Sequence, residues 1–264
     1  MQLSDEKLME IRTKLPDISP LKKCLFIEPN VVATRMRLRG RLDVAVICFQ
    51  DAYKVAQEVS HALDQAHSHL AWNRQERPEG PAEFDAISLE RFYADDVALR
   101  LYAAGEHTAN FIADFLDIAE DDLKQYKEEN NLASRAAIVG TYMVKQMPDH
   151  VITAAIKKLR TEKNWDKTMK YRNKWVHDQP PLMEGMGIIY KRKPRATKRE
   201  GYTDVFIGGR DAPTLNIDDL IEMASSASQA FVEYMIDLLD ILITRLEEIG
   251  ITIDGEAGRI TFCI

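Results

Sequence analysis

Asn216-Ile217-Asp218-Asp219-Leu220-Ile221 opens a run that reaches Ile249-Gly250 with no proline or glycine between, and no other stretch says as much about the fold. Ile217, Leu220, Ala224, Ala227, Phe231, Met235, Leu238, Leu242 and Ile249 are spaced so that a helix gathers them into one apolar stripe. Asn216 suits the cap, because its side-chain oxygen can accept from the free backbone N–H groups of the first turn. Asp218 and Asp219 fall at the positive end of the helix dipole, and Gly250 supplies the kind of residue at which helices stop.

The same periodicity recurs outward from this run. From Asp43 to about Asn73, apolar residues stand at 44, 47, 48, 52, 55, 59, 62, 63, 66 and 70. Arg74 to Asp85 is polar and holds Pro78, Gly80 and Pro81, a loop composition. Ser88 then reads as the N-cap of a second long helix running to about Asp117 through Leu89, Phe92, Val97, Leu101, Ala104, Phe111 and Phe115. Shorter helices are expected over 3–14, ended by Pro16, and over 119–130 and 134–147. Pro148 divides the last of these from a helix or helix pair over roughly 149–177, since proline suits a first helical turn but not an interior. β-Rich runs at Gly187–Lys191 and Tyr202–Ile207 flank a basic loop, and Ile251–Ile253 with Ile260–Phe262 flank turn glycines. The expected fold is therefore all-α, a helical bundle of about four long helices with short extra helices, one inserted β-hairpin arm and a small C-terminal hairpin. Three regions are expected: an N-terminal helix and basic arm over 1–40, the bundle over 41–249 with its arm at about 186–212, and the hairpin over 250–264.

The chain has 264 residues and ordinary globular composition, 45% hydrophobic and 29% charged. Its first residues are charged and lead into no apolar stretch, so no signal peptide is expected. No run approaches the ~18 apolar residues of a membrane span. Cys24, Cys48 and Cys263 are widely spaced without a CxxC pair, which favours neither a disulfide framework nor a zinc site. A cytoplasmic protein with reduced thiols, no cofactor, no metal and no membrane partner is expected.

Net charge is −7, yet residues 157–199 carry 14 Lys and Arg against four Asp and Glu. Such a strip either attracts a polyanion locally or is the solvated face of helices. Within it stands Tyr171-Arg172-Asn173-Lys174-Trp175-Val176-His177, followed by Asp178-Gln179-Pro180-Pro181. An arginine, an amide and an imidazole together point to phosphate chemistry: the guanidinium forks onto phosphoryl oxygens and the imidazole moves protons near neutrality. Asn173, four residues before His177, shares its helix face and can orient the ring or the phosphate. Arg172 and His177 are about 140° apart around a regular helix, so either the helix loosens before Pro180 or two chains meet with their motifs facing.

Arg172-Asn173-Lys174-Trp175-Val176-His177 resembles the R-x4-6-H signature, with a polar residue after the arginine, of the HEPN superfamily. The resemblance covers this motif and the long-helix pattern from about 41 to 249. It implies a helical-bundle homodimer and a metal-independent endoribonuclease, active in toxin, phage-defence or RNA-processing settings, with catalytic Arg172, His177 and Asn173. The toxin group with Tyr two residues after the His finds Gln179 here, which weakens the expectation of one particular antitoxin partner and leaves an inhibitor protein unidentified. RNA contacts are expected from Lys167, Lys170, Lys174, Lys191, Arg192, Lys193, Arg195, Lys198 and Arg199. Arg100, Glu106 and His107 are candidate supporting partners from a neighbouring helix.

The alternative is a noncatalytic helical module that binds RNA or protein through the basic strip. A third reading, a di-iron bundle, rests on Glu58-x-x-His61, of which there is no second copy. His67 and His69 are expected to be solvated. Arg35, Arg37, Arg39 and Arg41 alternate, so an extended segment would line them on one side to grip a nucleic-acid backbone; a flexible basic arm serves equally. No P-loop, GxGxxG fingerprint or GxSxG elbow is present.

Overall fold

A computed structural model describes the chain except residues 1–2, 37–39, 77–83, 178–180, 182, 185–189, 197–202, 211–214, 255–258 and 263–264. The fold is mostly helical, as an all-α chain should be. In order come α1 (Asp5–Arg12), a 3-10 helix (Ser19–Phe26), α2 (Pro29–Arg35), α3 (Leu42–Glu76), α4 (Phe84–Phe115), α5 (Glu120–Asn130), α6 (Arg135–Gln146), α7 (Val151–Thr161), α8 (Lys163–His177) and α9 (Ile217–Glu248). Between α8 and α9, β1 (Tyr190–Ala196) pairs antiparallel with β2 (Thr203–Arg210), and after α9, β3 (Ile251–Asp254) pairs with β4 (Arg259–Phe262).

The frame is an antiparallel pair, α3 and α4, against which α9 packs. Phe49 of α3 meets Phe111 of α4 edge-on, ring centres 5.3 Å apart, and both are fully buried. Phe231, Met235, Leu238 and Leu242 of α9 complete this core. The α9 boundaries follow their local chemistry: Asn216 accepts from the Asp219 N–H at 2.7 Å, and Gly250 takes φ +77° just past the end. Residues before α3 join the same core through Leu21, Cys24, Ile27 and Val32, and Gln50 donates to the carbonyls of Cys24 and Ile27 at 2.9 Å each.

The stretch over 149–177, expected as a helix or helix pair, is a pair, because Glu162 is extended and separates α7 from α8. Two departures from expectation have physical causes. Ser88 is not a cap: α4 begins four residues earlier, at Phe84, where the buried Ile87 already belongs to a core cluster. Arg35 and Arg41 do not line an extended edge. Arg35 closes α2 and donates to the Ile249 carbonyl at 2.8 Å, while Arg41 pairs with Asp114; Arg37 and Arg39 lie outside the described residues.

A second, smaller cluster sits at the end of the bundle that carries the motif. Ala94 and Ala98 of α4, Ile217, Leu220 and Ile221 of α9, and Tyr171 of α8 pack there with Met183. Met183 bridges Leu215 in parallel, and the Glu184 N–H donates to the Leu215 carbonyl at 3.0 Å. The end of α8 and the start of α9 are thereby tied to one floor. Among the described residues no helix is long and apolar enough to cross a membrane.

Candidate nucleic-acid interface

α8 is helical without interruption from Lys163 to His177, so it does not loosen to bring Arg172 and His177 together. At about 100° per residue its buried side is centred on Thr168, Tyr171 and Trp175, with Trp165 and Arg172 at one border. The opposite, solvent-facing side displays Lys167, Lys170, Asn173, Lys174 and His177, all exposed. Packing explains this division. Trp165 stacks on Phe231 of α9 with centres 5.5 Å apart, and the buried Thr168 hydroxyl donates to the Met223 carbonyl at 3.4 Å.

Arg172 sits where α8 crosses α4. Its guanidinium carbon lies 3.7 Å from the centre of the Tyr102 ring, a close cation–π contact. Nη1 donates to the Asn173 side-chain oxygen at 3.1 Å, while the buried Nε has no hydrogen-bond partner. Among the described residues no carboxylate pairs with it. His177 is exposed in the last turn of α8. The structure thus brings Arg172 and Asn173 together and leaves His177 about 140° round from Arg172, on the side of Asn173 and the lysines.

A buried network holds the motif at both ends. The Tyr171 hydroxyl, one residue before Arg172, donates to Asp95 Oδ1 in a short hydrogen bond. Arg91 Nε lies 3.4 Å from Asp95 Oδ2, and its Nη2 donates to the Pro181 carbonyl at 3.2 Å, just beyond His177. Burial pushes the Asp95 carboxyl above its ordinary range, opposed by the Tyr171 and Arg91 contacts. Burial and then the neighbouring Asp95 charge push the Tyr171 phenol far above its own. Sequence reasoning missed Tyr102, Arg91, Asp95 and Tyr171. Only Arg91 and Asp95 left a signal, an opposite-charge pair four apart on an apolar helix.

Lys167, Lys170 and Lys174 form one wall of a groove of about 660 Å³, across from Asp219 and Glu222 of α9 and above Tyr171, Leu215 and Met223. Lys170 also reaches Asp166 at 2.6 Å. Arg172 and His177 do not line this groove. Lys191, Arg192, Lys193 and Arg195 lie on β1, while Lys198 and Arg199 fall outside the described residues.

Two of the three candidate supporting residues are engaged elsewhere. Arg100 pairs with Glu58 of α3 and with Asp96 at 2.7 Å. Glu106 caps α6, accepting from the Arg135 and Ala136 N–H groups at 2.9 and 3.2 Å. His107 is half-buried on α4. The engagement of Glu58 by Arg100 also takes up the carboxylate of the Glu58-x-x-His61 pattern, and among the described residues no three His, Cys, Asp or Glu gather as a ligand set.

His67 and His69 are half-buried and partnered rather than fully solvated: His67 Nε2 and the Ser225 hydroxyl are 2.9 Å apart, and His69 stacks on Tyr93 with centres 5.4 Å apart. Burial lowers the pKa of both. Cys24 and Cys48 are free thiols raised by burial to about 12 and about 11. Cys263 lies outside the described residues.

Neither protein-family models, nor curated proteins, nor solved structures give a match to this chain.

Proposed function

We propose that the chain is a HEPN-like endoribonuclease, its helices forming the bundle of that superfamily, that cleaves single-stranded RNA by 2′-hydroxyl attack within a homodimer. One observation carries this: Arg172 is held ready for an anion, stacked on Tyr102, steadied by Asn173, without a carboxylate partner among the described residues and with a donor unused. A buried donor without an acceptor costs free energy, and the planar, forked guanidinium matches the oxygens of a phosphate.

The proposed reaction forms a bond from the 2′ oxygen to phosphorus and breaks the bond from phosphorus to the 5′ oxygen. An imidazole accepts the 2′ proton, a second protonates the leaving 5′ oxygen, and guanidinium groups stabilise charge on the phosphoryl oxygens. Because α8 stays regular through His177, one chain separates Arg172 from His177 around the helix. Two chains meeting with these turns facing would surround one phosphate from both sides. Exposed Lys167, Lys170 and Lys174 lie on the His177 side of α8 and supply attraction for flanking phosphates.

The test is cleavage of single-stranded RNA in excess EDTA by the full chain and by Arg172→Ala and His177→Ala. Loss of cutting in both variants, with folding kept, is expected. A specific observation favours a second reading, a noncatalytic RNA-binding module: the groove takes in the lysines but neither Arg172 nor His177. Salt-sensitive RNA binding without cleavage would select it.

A further inference from the structure

The groove beside the motif has walls of opposite charge, and only one of them suits a polyanion. On α8 stand Lys167, Lys170 and Lys174; facing them on α9 stand Asp219 and Glu222, both exposed and with no ion-pair partner among the described residues. The floor between is apolar, formed by Leu215, Met223 and the buried Tyr171 ring. Asp218, next along the chain, pairs instead with Arg74, so the acidic start of α9 is divided between a structural contact and this wall.

We propose that this groove is a base-reading subsite of the RNA site, selecting bases that carry an exocyclic amino group and disfavouring uracil. This rests on the RNA reading above. Phosphates are repelled by Asp219 and Glu222 and drawn to the lysines, so a strand entering the groove is turned with its backbone on α8 and its bases toward α9. There a carboxylate accepts hydrogen bonds and donates none. The amino groups of cytosine, adenine and guanine are donors on the edges single-stranded RNA exposes, and guanine adds a ring N–H beside its own. Uracil offers a single N–H flanked by two carbonyls, which face the carboxylates unfavourably. The apolar floor lets the base lie flat without leaving polar atoms stranded. The lysine wall shares its helix side with His177, so a strand held in the groove continues toward that side of α8.

The experiment is fluorescence anisotropy with labelled oligouridylate, oligocytidylate and oligoadenylate of equal length, using the full chain carrying His177→Ala so that nothing is cut. Oligocytidylate and oligoadenylate should bind roughly fivefold more tightly than oligouridylate, the low end expected for base contacts in an open groove. Glu222→Gln should narrow the gap, and Asp219→Asn with Glu222→Gln should close it without weakening oligouridylate. Glu222→Gln lies on an exposed helix position, so it remains informative if the double variant is less stable. Equal binding of all three RNAs, or a preference that survives the double variant, overturns base reading and leaves the RNA site standing. Failure of every RNA to bind overturns both.

Discussion

Replacing Glu90 by Gln should remove a pH-dependent weakness from the end of the bundle where α3 stops and α4 begins. Glu90 is completely buried on α4; one oxygen accepts from the Asn73 amide at 3.2 Å and the other has no partner. Burial pushes its carboxyl from an ordinary 4.5 up to about 7. Because the folded value lies above the unfolded one, the contribution is fully present below about pH 4.5 and is lost as pH rises through 7. At about 1.4 kcal/mol per pH unit, the gap between the two values is worth about 3 kcal/mol, most of it spent between pH 5 and 8. Gln keeps the acceptor for Asn73 and cannot ionise. Urea unfolding of the wild type and Glu90→Gln at both pH values isolates the effect, since other titrating groups are common to both proteins. The variant should gain about 2–3 kcal/mol on the wild type between pH 5 and pH 8. Parallel stability curves would show that Glu90 is not held neutral by its surroundings.

Two further outcomes concern the motif's setting. Tyr171→Phe keeps the ring in its cluster but leaves Asp95 without its hydroxyl donor, so it should cost about 2 kcal/mol at neutral pH, as loss of a hydrogen bond to a charged group does. A thermal melt unchanged from wild type would mean that the hydroxyl holds nothing. Changing Lys167, Lys170 and Lys174 together to Gln should lower the slope of log affinity against log salt for single-stranded RNA by about 2, at about 0.7 per lost phosphate contact. An unchanged slope would place the RNA elsewhere.

The helices that bury an uninterrupted stripe were legible in the sequence: α3 and α9 lie close to where the apolar spacing puts them, and Asn216 and Gly250 end α9 by local chemistry alone. Where tertiary packing overrides local preference, legibility failed. Ser88 has the side chain of a cap, yet burial of Ile87 draws the helix start forward. His67 and His69 look solvated in one dimension, but α9 and α4 bring Ser225 and Tyr93 to them.

The candidate site divides in the same way. The lysines, Asn173 and His177 follow from helical spacing on α8. The stacking of Arg172 on Tyr102 and the bond from Tyr171 to Asp95 join residues some seventy positions or more apart, and of this network only the Arg91–Asp95 spacing leaves a local trace.

RNA cleavage centred on His177 is tested most directly by the ends of the fragments. Single-stranded RNA incubated with the full chain in EDTA, then analysed by mass spectrometry, should yield 2′,3′-cyclic phosphate and 5′-hydroxyl termini, and His177→Ala with an unchanged melt should yield none. Intact RNA with the wild type, 3′-hydroxyl termini, or the same fragments from His177→Ala would contradict the account.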